Sequence, residues 1–480
     1  MNTKSIILIL YLVSVPLLAT IINVPGTQPT IQDGIDAASD GDTVLVAPGV
    51  YYENINYRKK GIVVASNYLV NDDPVYIDST IINGSTPVHP DTASCVLIVS
   101  DTSATMSDTG AALIGFTITK GTGTKWLDEH GVGLFREGGG ILIQYLSPRI
   151  VHNIIVDNEA VDAQGCVSAG GGAIRCGDGD PRILNNIIAG NKGIYGGGIV
   201  LNFTGAVIKN NIIANDSAGG AYGGGGGIWA YANSSAPKII ENNTIVNNVP
   251  GGSATGGGLR LWSASAEIRN NIIWANDQQQ LTISGGTVTV TYCDVQNGWT
   301  GEGNIDSEPY FESGDYYLSD TSPCIDAGDT AVAYNDPEDP YNPGYALWPA
   351  KGTLRNDMGC FGGPGSAELG IVPGVAEKHL DSERSHGLLL DVYPNPFCRK
   401  TTIRYADPAC NGIMNHLLLQ IYNSTGQLIK QYDGSYLNHK SSILWNGTDQ
   451  YGNKLSSGVY VCLFKTADGT ASRKLLLLNR

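Results

Sequence analysis

Between Gly138 and Asn276 one phrase of sequence occurs five times, and this repeat limits the fold more than any other feature. Its openings are Gly139-Gly140-Ile141, Gly172-Ala173-Ile174, Gly197-Gly198-Ile199, Gly226-Gly227-Ile228 and Gly257-Gly258-Leu259. Each copy later carries an asparagine with apolar neighbours, at Asn153-Ile154-Ile155, Asn186-Ile187-Ile188, Asn211-Ile212-Ile213, Asn243-Thr244-Ile245 and Asn271-Ile272-Ile273. The openings are spaced by 33, 25, 29 and 31 residues, so loops of free length absorb the variation. Nine residues separate Ile141 from Ile150, Ile174 from Ile183, Ile199 from Ile208 and Leu259 from Ile268, whereas Ile228 and Ile239 are 11 apart. Two short alternating strands joined by a constant turn, then a third strand and a variable loop, describe one coil of a right-handed parallel β-helix. Alternate residues such as Ile141 and Ile143, or Leu259 and Leu261, point into the cylinder.

The asparagine column reads as structural, because asparagine accepts left-handed turns and its amide can bond to the same residue of the next coil. His152 stands where Asn185, Asn210, Asn242 and Asn270 stand elsewhere, and reads as a turn residue. Strand-like runs at 43–46, 61–66, 80–82, 95–100 and 112–119 predict earlier, less regular coils starting near Asp42. Ahead of them Ile31, Ile35 and Ala38 share one helical face with Thr30 as N-cap, which predicts a short helix plugging the open end of the stack.

The chain is acidic, with Lys+Arg 29 against Asp+Glu 45 and a formal charge of −16, which argues against nucleic acid as a partner. Lys4 and the apolar run from Ile6 to Ala19 read as a secretory signal peptide over residues 1–20. An uncleaved anchor is the alternative, disfavoured by Pro16 and the short run. Nine cysteines in an exported chain permit disulfides, for which Cys324 with Cys360 and Cys398 with Cys410 are the expected pairs. No cysteine and histidine spacing suits a metal site.

Ile31-Gln32-Asp33-Gly34-Ile35-Asp36-Ala37-Ala38, Gly41-Asp42-Thr43 and Ala47-Pro48-Gly49-Val50-Tyr51 resemble the opening of pectate-lyase-like right-handed β-helix proteins. The segment from Ser322 to Asp329, followed by Asp357-Met358-Gly359-Cys360-Phe361-Gly362, is similar to the close of bacterial surface β-helix proteins. The resemblance covers residues 21–363 and implies the fold. It leaves the chemistry open, since that superfamily holds lyases, hydrolases, esterases, adhesins and non-catalytic surface proteins.

Residues 364–386 turn polar and irregular and read as a linker. The remainder, 387–480, shows strand signals at 401–405, 417–422, 427–432, 442–445 and 458–466, which predict a small immunoglobulin-like β-sandwich. Its aromatics Tyr393, Phe397, Trp445 and Tyr460 read as core. Tyr393-Pro394-Asn395-Pro396-Phe397, Trp445-Asn446-Gly447-Thr448-Asp449 and Ser457-Gly458-Val459-Tyr460 resemble the type A sorting domain of the type IX secretion system. That resemblance implies export across the outer membrane of a Gram-negative bacterium and contact with the secretion machinery.

With Gly-Gly-Ile opening the first strand of each coil, the outward residues are Leu142 and Gln144, Arg175, Val200 and Asn202, Trp229 and Tyr231, Arg260 and Trp262, then Thr282 and Ser284. Trp229, Tyr231 and Trp262 would form an aromatic strip on which sugar rings stack, with Arg260 and Arg175 beside it to pair with uronate carboxylates and Asn202 as a polar contact. Loops covering the strip are the competing reading. Asp178 and Asp180 are the nearest carboxylates, with Asp128, Glu129 and Glu137 in the approach to the first clear coil. Asp178 and Asp180, in Asp178-Gly179-Asp180-Pro181, are better explained as turn formers than as catalytic groups. Three functions therefore stand: a monomeric glycan-binding surface protein with no cofactor, a lyase or hydrolase of acidic polysaccharide using Arg175 or Arg260 near Asp178 and Asp180 with calcium as a possible helper, and an adhesin or stalk.

Overall fold

The computed structural model describes residues 19–100, 110–128, 130, 133–220, 223–234, 236–251, 255–312, 316–339, 342–366, 389–393, 401–406, 417–423, 427–433, 437, 442–456, 458–466 and 470–477. The chain separates into two compact units, Met1–Ala376 and Glu377–Arg480, divided inside the expected linker.

The first unit is a parallel β-helix of three long sheets with eight, ten and nine strands. Sheet 1 includes Ile141–Gln144, Ile174–Gly177, Ile199–Asn202, Ile228–Tyr231, Leu259–Trp262 and Leu281–Ser284, each in parallel register with the next coil. Sheets 2 and 3 follow within each coil, as in Arg149–Val151 and Ile154–Val156. The short period-two strands turn alternate residues toward the axis, so the core is a set of stacked columns. Ile155, Ile188, Ile213, Ile245 and Ile273, for example, are all fully buried. The fourth coil departs from the spacing of the others. Its core isoleucine in sheet 2 is Ile240, in register with Ile208 and Ile268, while Ile239, which the spacing matched to those two, is only partly buried. The longer turn there brings in Lys238, whose Nζ donates to the carbonyls of Thr204 and Ala232 and to Asn233 Oδ1.

Two tasks expected of one asparagine are divided between neighbours. His152, Asn185, Asn210, Asn242 and Asn270 adopt left-handed φ of 51 to 57°. Asn153, Asn186, Asn211, Asn243 and Asn271, one position later, form a buried ladder in which each amide donates to the Oδ1 of the next. A second ladder, not anticipated, runs through Asn158, Asn191, Asp216, Asn248 and Asn276.

The capping helix is present at Ile31–Ala37, with the Thr30 side chain accepting from Asp33 N. A Cβ on Gly34 would lie 2.8 Å from Val44, so glycine lets the helix sit down on the first coil. The stack begins earlier than Asp42. Ile21–Val24 already pairs in parallel with Thr43–Val46. Two short helices, Tyr68–Asn71 and Val75–Ser79, interrupt the early coils. At the other end the closing segment lies along sheet 3, with Phe361 and Cys360 packed among Ile187, Ile212 and Val246. The amides of Asn210 and Asn242 hold its carbonyls. Cys324 and Cys360 do not pair. Both are free and buried in different clusters, and Cys324 Sγ meets Asp294 Oδ2 at 3.2 Å. Cys398 and Cys410 lie outside the described residues, as do the segment read as a signal peptide up to residue 18, Glu129 and Phe397. No helix among the described residues is long and apolar enough to cross a membrane.

The second unit comprises antiparallel sheets of three and four strands, including Leu418–Asn423, Ser442–Trp445 and Gly458–Lys465. Trp445, Tyr460, Phe464, Leu419 and Ile421 fill its core.

Candidate functional site

The outer face of sheet 1 presents two columns. One runs Leu142, Arg175, Val200, Trp229, Arg260, Thr282, and the other Gln144, Gly177, Asn202, Tyr231, Trp262, Ser284. The early members were expected to be open to solvent, and here the structure corrects the sequence. Leu142 and Val200 are fully buried, Gln144 and Arg175 are 2% exposed, and Asn202 is 9% exposed. The reason is an inserted hairpin, Gly123–Asp128 with Gly133–Glu137, joined by Thr92–Ala93 and Ser168–Gly170 into a separate four-stranded sheet. It ends at Glu137, whose carboxylate lies 2.9 Å from Arg175 Nε with both side chains buried.

This pair is the centre of a polar chain. The Tyr195 hydroxyl donates to Glu137, Arg175 donates to Gln144 Oε1, and Gln144 Nε2 donates to Asp178 Oδ2 at 2.8 Å. Asp178 Oδ1 in turn meets His130 Nε2 at 2.9 Å. A Cβ on residue 177 would strike the Arg175 guanidinium, so Gly177 makes the room in which that group bends toward Gln144. Burial works against the charged guanidinium, but the Glu137 carboxylate prevails and holds Arg175 above its ordinary pKa. Burial, reinforced by Glu137, pushes the Tyr195 hydroxyl well above its ordinary value, so it stays a neutral donor. Arg175 is thus committed to the protein and does not face a substrate.

Beyond the hairpin the rings are in contact. Phe135 meets Tyr195 edge-on with centroids 6.3 Å apart, Tyr195 meets Trp229 at 5.2 Å, Trp229 meets Tyr231 at 6.2 Å, and Tyr231 meets Trp262 at 6.0 Å. A branch passes from Tyr231 to Phe203 at 5.5 Å and on to His130, stacked at 3.6 Å. Trp262 is 46% exposed, while Trp229 and Tyr231 are partly buried, so the strip opens progressively toward the later coils. Arg260 is partly buried, and its Nη1 donates to the Gly223 carbonyl.

Asp178, in a left-handed conformation, is occupied by Gln144 and His130. Asp180 accepts from Gly205 N and Ser234 Oγ, tying turns of successive coils together. Neither presents the convergent oxygens that a calcium ion requires, and the described residues contain no group of three or more His, Cys, Asp or Glu placed to hold a metal. Tyr195, Phe203, Phe135 and His130 were missed as parts of the strip. Phe203 had a detectable signal: it stands at the left-handed turn position filled by Asp178, Ala232 and Ser263 in other coils, where a bulky aromatic needs a compensating contact.

Residues 107–273 match the family described as right handed beta helix region, and residues 391–478 match the secretion system C-terminal sorting domain. The protein is therefore a right-handed parallel β-helix carrying a sorting domain. That domain directs it through the type IX secretion system to the cell surface or medium of a Gram-negative bacterium of the Bacteroidetes type. No curated protein matches the chain. Among solved structures, it is similar to dimeric latent PorU from Porphyromonas gingivalis, at 22% identity over 21% of this chain and 10% of that one, with a TM-score of 0.16. PorZ, a surface component of the type IX secretion system of the same bacterium, is 21% identical over 26% of this chain and 14% of its own, at 0.15. A mutant of the PL6 family alginate lyase AlyGC is 14% identical over 74% of this chain and 59% of its own, at 0.24. The chain spans less than two thirds of each, and no argument about activity rests on them.

Proposed function

We propose that this exported β-helix binds extended polysaccharide along the outer face of sheet 1. The observation that carries the reading is the unbroken contact of Trp229, Tyr231 and Trp262 across two adjacent coils, ending in a half-exposed indole. Sugar rings present apolar faces that stack on such rings, and coils one strand apart supply the repeated platform a polymer needs. A lyase reading is weaker, because Arg175, one of its two cations, is neutralised by Glu137, and Asp178 and Asp180 are held by protein donors.

Affinity electrophoresis of the full chain through gels containing a panel of polysaccharides tests this. At least one polymer should retard the protein, and Trp262→Ala should reduce that retardation about tenfold, near 1.4 kcal/mol, without changing the unfolding midpoint. Retention unaffected by the substitution would place the site elsewhere, and shortening of the polymer would make the protein an enzyme.

A further inference from the structure

The sequence invites an acid-seeking surface, since two arginines line the strip. We infer instead that the strip selects uncharged, hydroxyl-rich polysaccharide over polymers of uronic acid, an inference that rests on the polysaccharide-binding reading above. The first support is charge. Arg175 is cancelled by Glu137 at 2.9 Å, leaving Arg260 as the one arginine on the two columns not paired with a carboxylate. At the His130 branch the strip meets Asp178, a carboxylate, and the whole chain carries −16. A polyanion approaching this flank meets repulsion that a neutral polymer does not feel.

The second support is a set of hydrogen-bonding atoms that are shielded from water and left without a protein partner. They are Asn202 Oδ1, Trp229 Nε1 and Arg260 Nε, on three successive coils of the same face. Asn202 is 9% exposed, and its free oxygen calls for a donor. A sugar hydroxyl both donates and accepts, and so satisfies an amide oxygen as well as an indole or guanidinium N–H. A uronate keeps its ring hydroxyls but carries at C6 a carboxylate that only accepts. It could serve Arg260 but would set its charge against Asn202 Oδ1. The mixture of one acceptor and two donors among stacked rings therefore matches hydroxyls.

The test uses the full chain in affinity electrophoresis with two neutral probes, galactomannan and xyloglucan, and two acidic ones, polygalacturonate and alginate, at low and high salt. A neutral probe should be bound at least about tenfold more tightly than either acidic probe, with little change on adding salt. Asn202→Leu and Arg260→Gln should each weaken that binding about fivefold or more, at low and high salt alike. Unfolding midpoints of both variants separate lost contacts from lost fold, and Trp262→Ala, at a half-exposed site, reports on the strip if Asn202→Leu does not fold. Tightest binding to an acidic probe, lost on adding salt and on Arg260→Gln, overturns the selectivity while leaving polysaccharide binding in place. Failure of all four probes to bind removes the polysaccharide reading and this inference together.

Discussion

Asp216→Asn should stabilise the β-helix by an amount that grows with pH. Asp216 is the one acid in the second ladder, and each amide rung beside it uses both amide protons. Asn191 Nδ2 donates to Asp216 Oδ1 and to the Ile155 carbonyl, each at 2.9 Å, and Asn248 Nδ2 donates to Asn276 Oδ1 and to the Ile213 carbonyl, again at 2.9 Å. Asp216 Oδ1 plays its accepting part, but Oδ2 has no donor, and the pattern of the other rungs sets it toward Asn248 Oδ1 and the Ile188 carbonyl. Two acceptors facing a carboxylate oxygen favour its proton. Burial, opposed by the bonds from Asn191, pushes the carboxyl well above its ordinary value. The acid then offers one proton where an asparagine offers two, so the substitution gains about 1 kcal/mol even at low pH. Above the ordinary carboxylate range the unfolded chain releases its proton and the folded chain does not. Wild-type stability therefore declines with rising pH by about 1.4 kcal/mol per unit until the folded carboxyl ionises. The variant's lead should therefore widen with each pH unit across that interval. Urea unfolding followed by tryptophan fluorescence at a series of pH values from 4 to 7 measures the gap. A gap that stays constant with pH, or a variant less stable than wild type, would refute the neutral rung.

Glu137→Ala should cost about 3–5 kcal/mol in thermal unfolding, because it strands the buried Arg175 guanidinium, and adding Arg175→Met should recover most of the loss. Burial pushes His152 down to about 4 from an ordinary 6.5, so its neutral ring contributes stability that is intact above the higher value and lost as pH falls toward the lower one. His152→Asn should abolish up to about 3 kcal/mol of that acid sensitivity, seen as a flatter dependence of the unfolding midpoint below neutral pH. Removing residues 391–478 should leave the β-helix unit inside the cell envelope, detected by immunoblotting of cell fractions, whereas undiminished release to the medium would deny the sorting domain its role.

The inner half of the structure was legible because its determinants are local. Alternation within a strand decides which residues face the axis, and the repeat of that alternation stacks like on like, so Ile141, Ile174, Ile199, Ile228 and Leu259 could be aligned by inspection. Where a turn changed length the inspection slipped by one residue, choosing Ile239 over Ile240, since two adjacent isoleucines satisfy the same spacing. The second ladder was not seen because Asp216 breaks its letter pattern while keeping its hydrogen-bonding place through Oδ1. The expected Cys324 and Cys360 pair failed because the two thiols enter different clusters, which cysteine spacing does not record.

The outer half depends on contacts that no periodicity records. Whether Arg175 faced a ligand or the protein was decided by Glu137, a residue 38 positions earlier at the end of a hairpin that belongs to no repeat. That hairpin is one insertion, and the connections entering the later coils at 219–227 and 251–258 are rich in glycine. Its cover therefore ends after Val200, which is fully buried, and the face begins to open at Trp229 and is most open at Trp262. The length of one insertion sets where the strip starts, and the five-coil repeat sets how far it runs. A longer hairpin on the same stack would have closed the flank. A stack without one would have left Arg175 free and made the surface attractive to acids, so the same outward residues acquire opposite preferences according to a segment that lies outside the repeat.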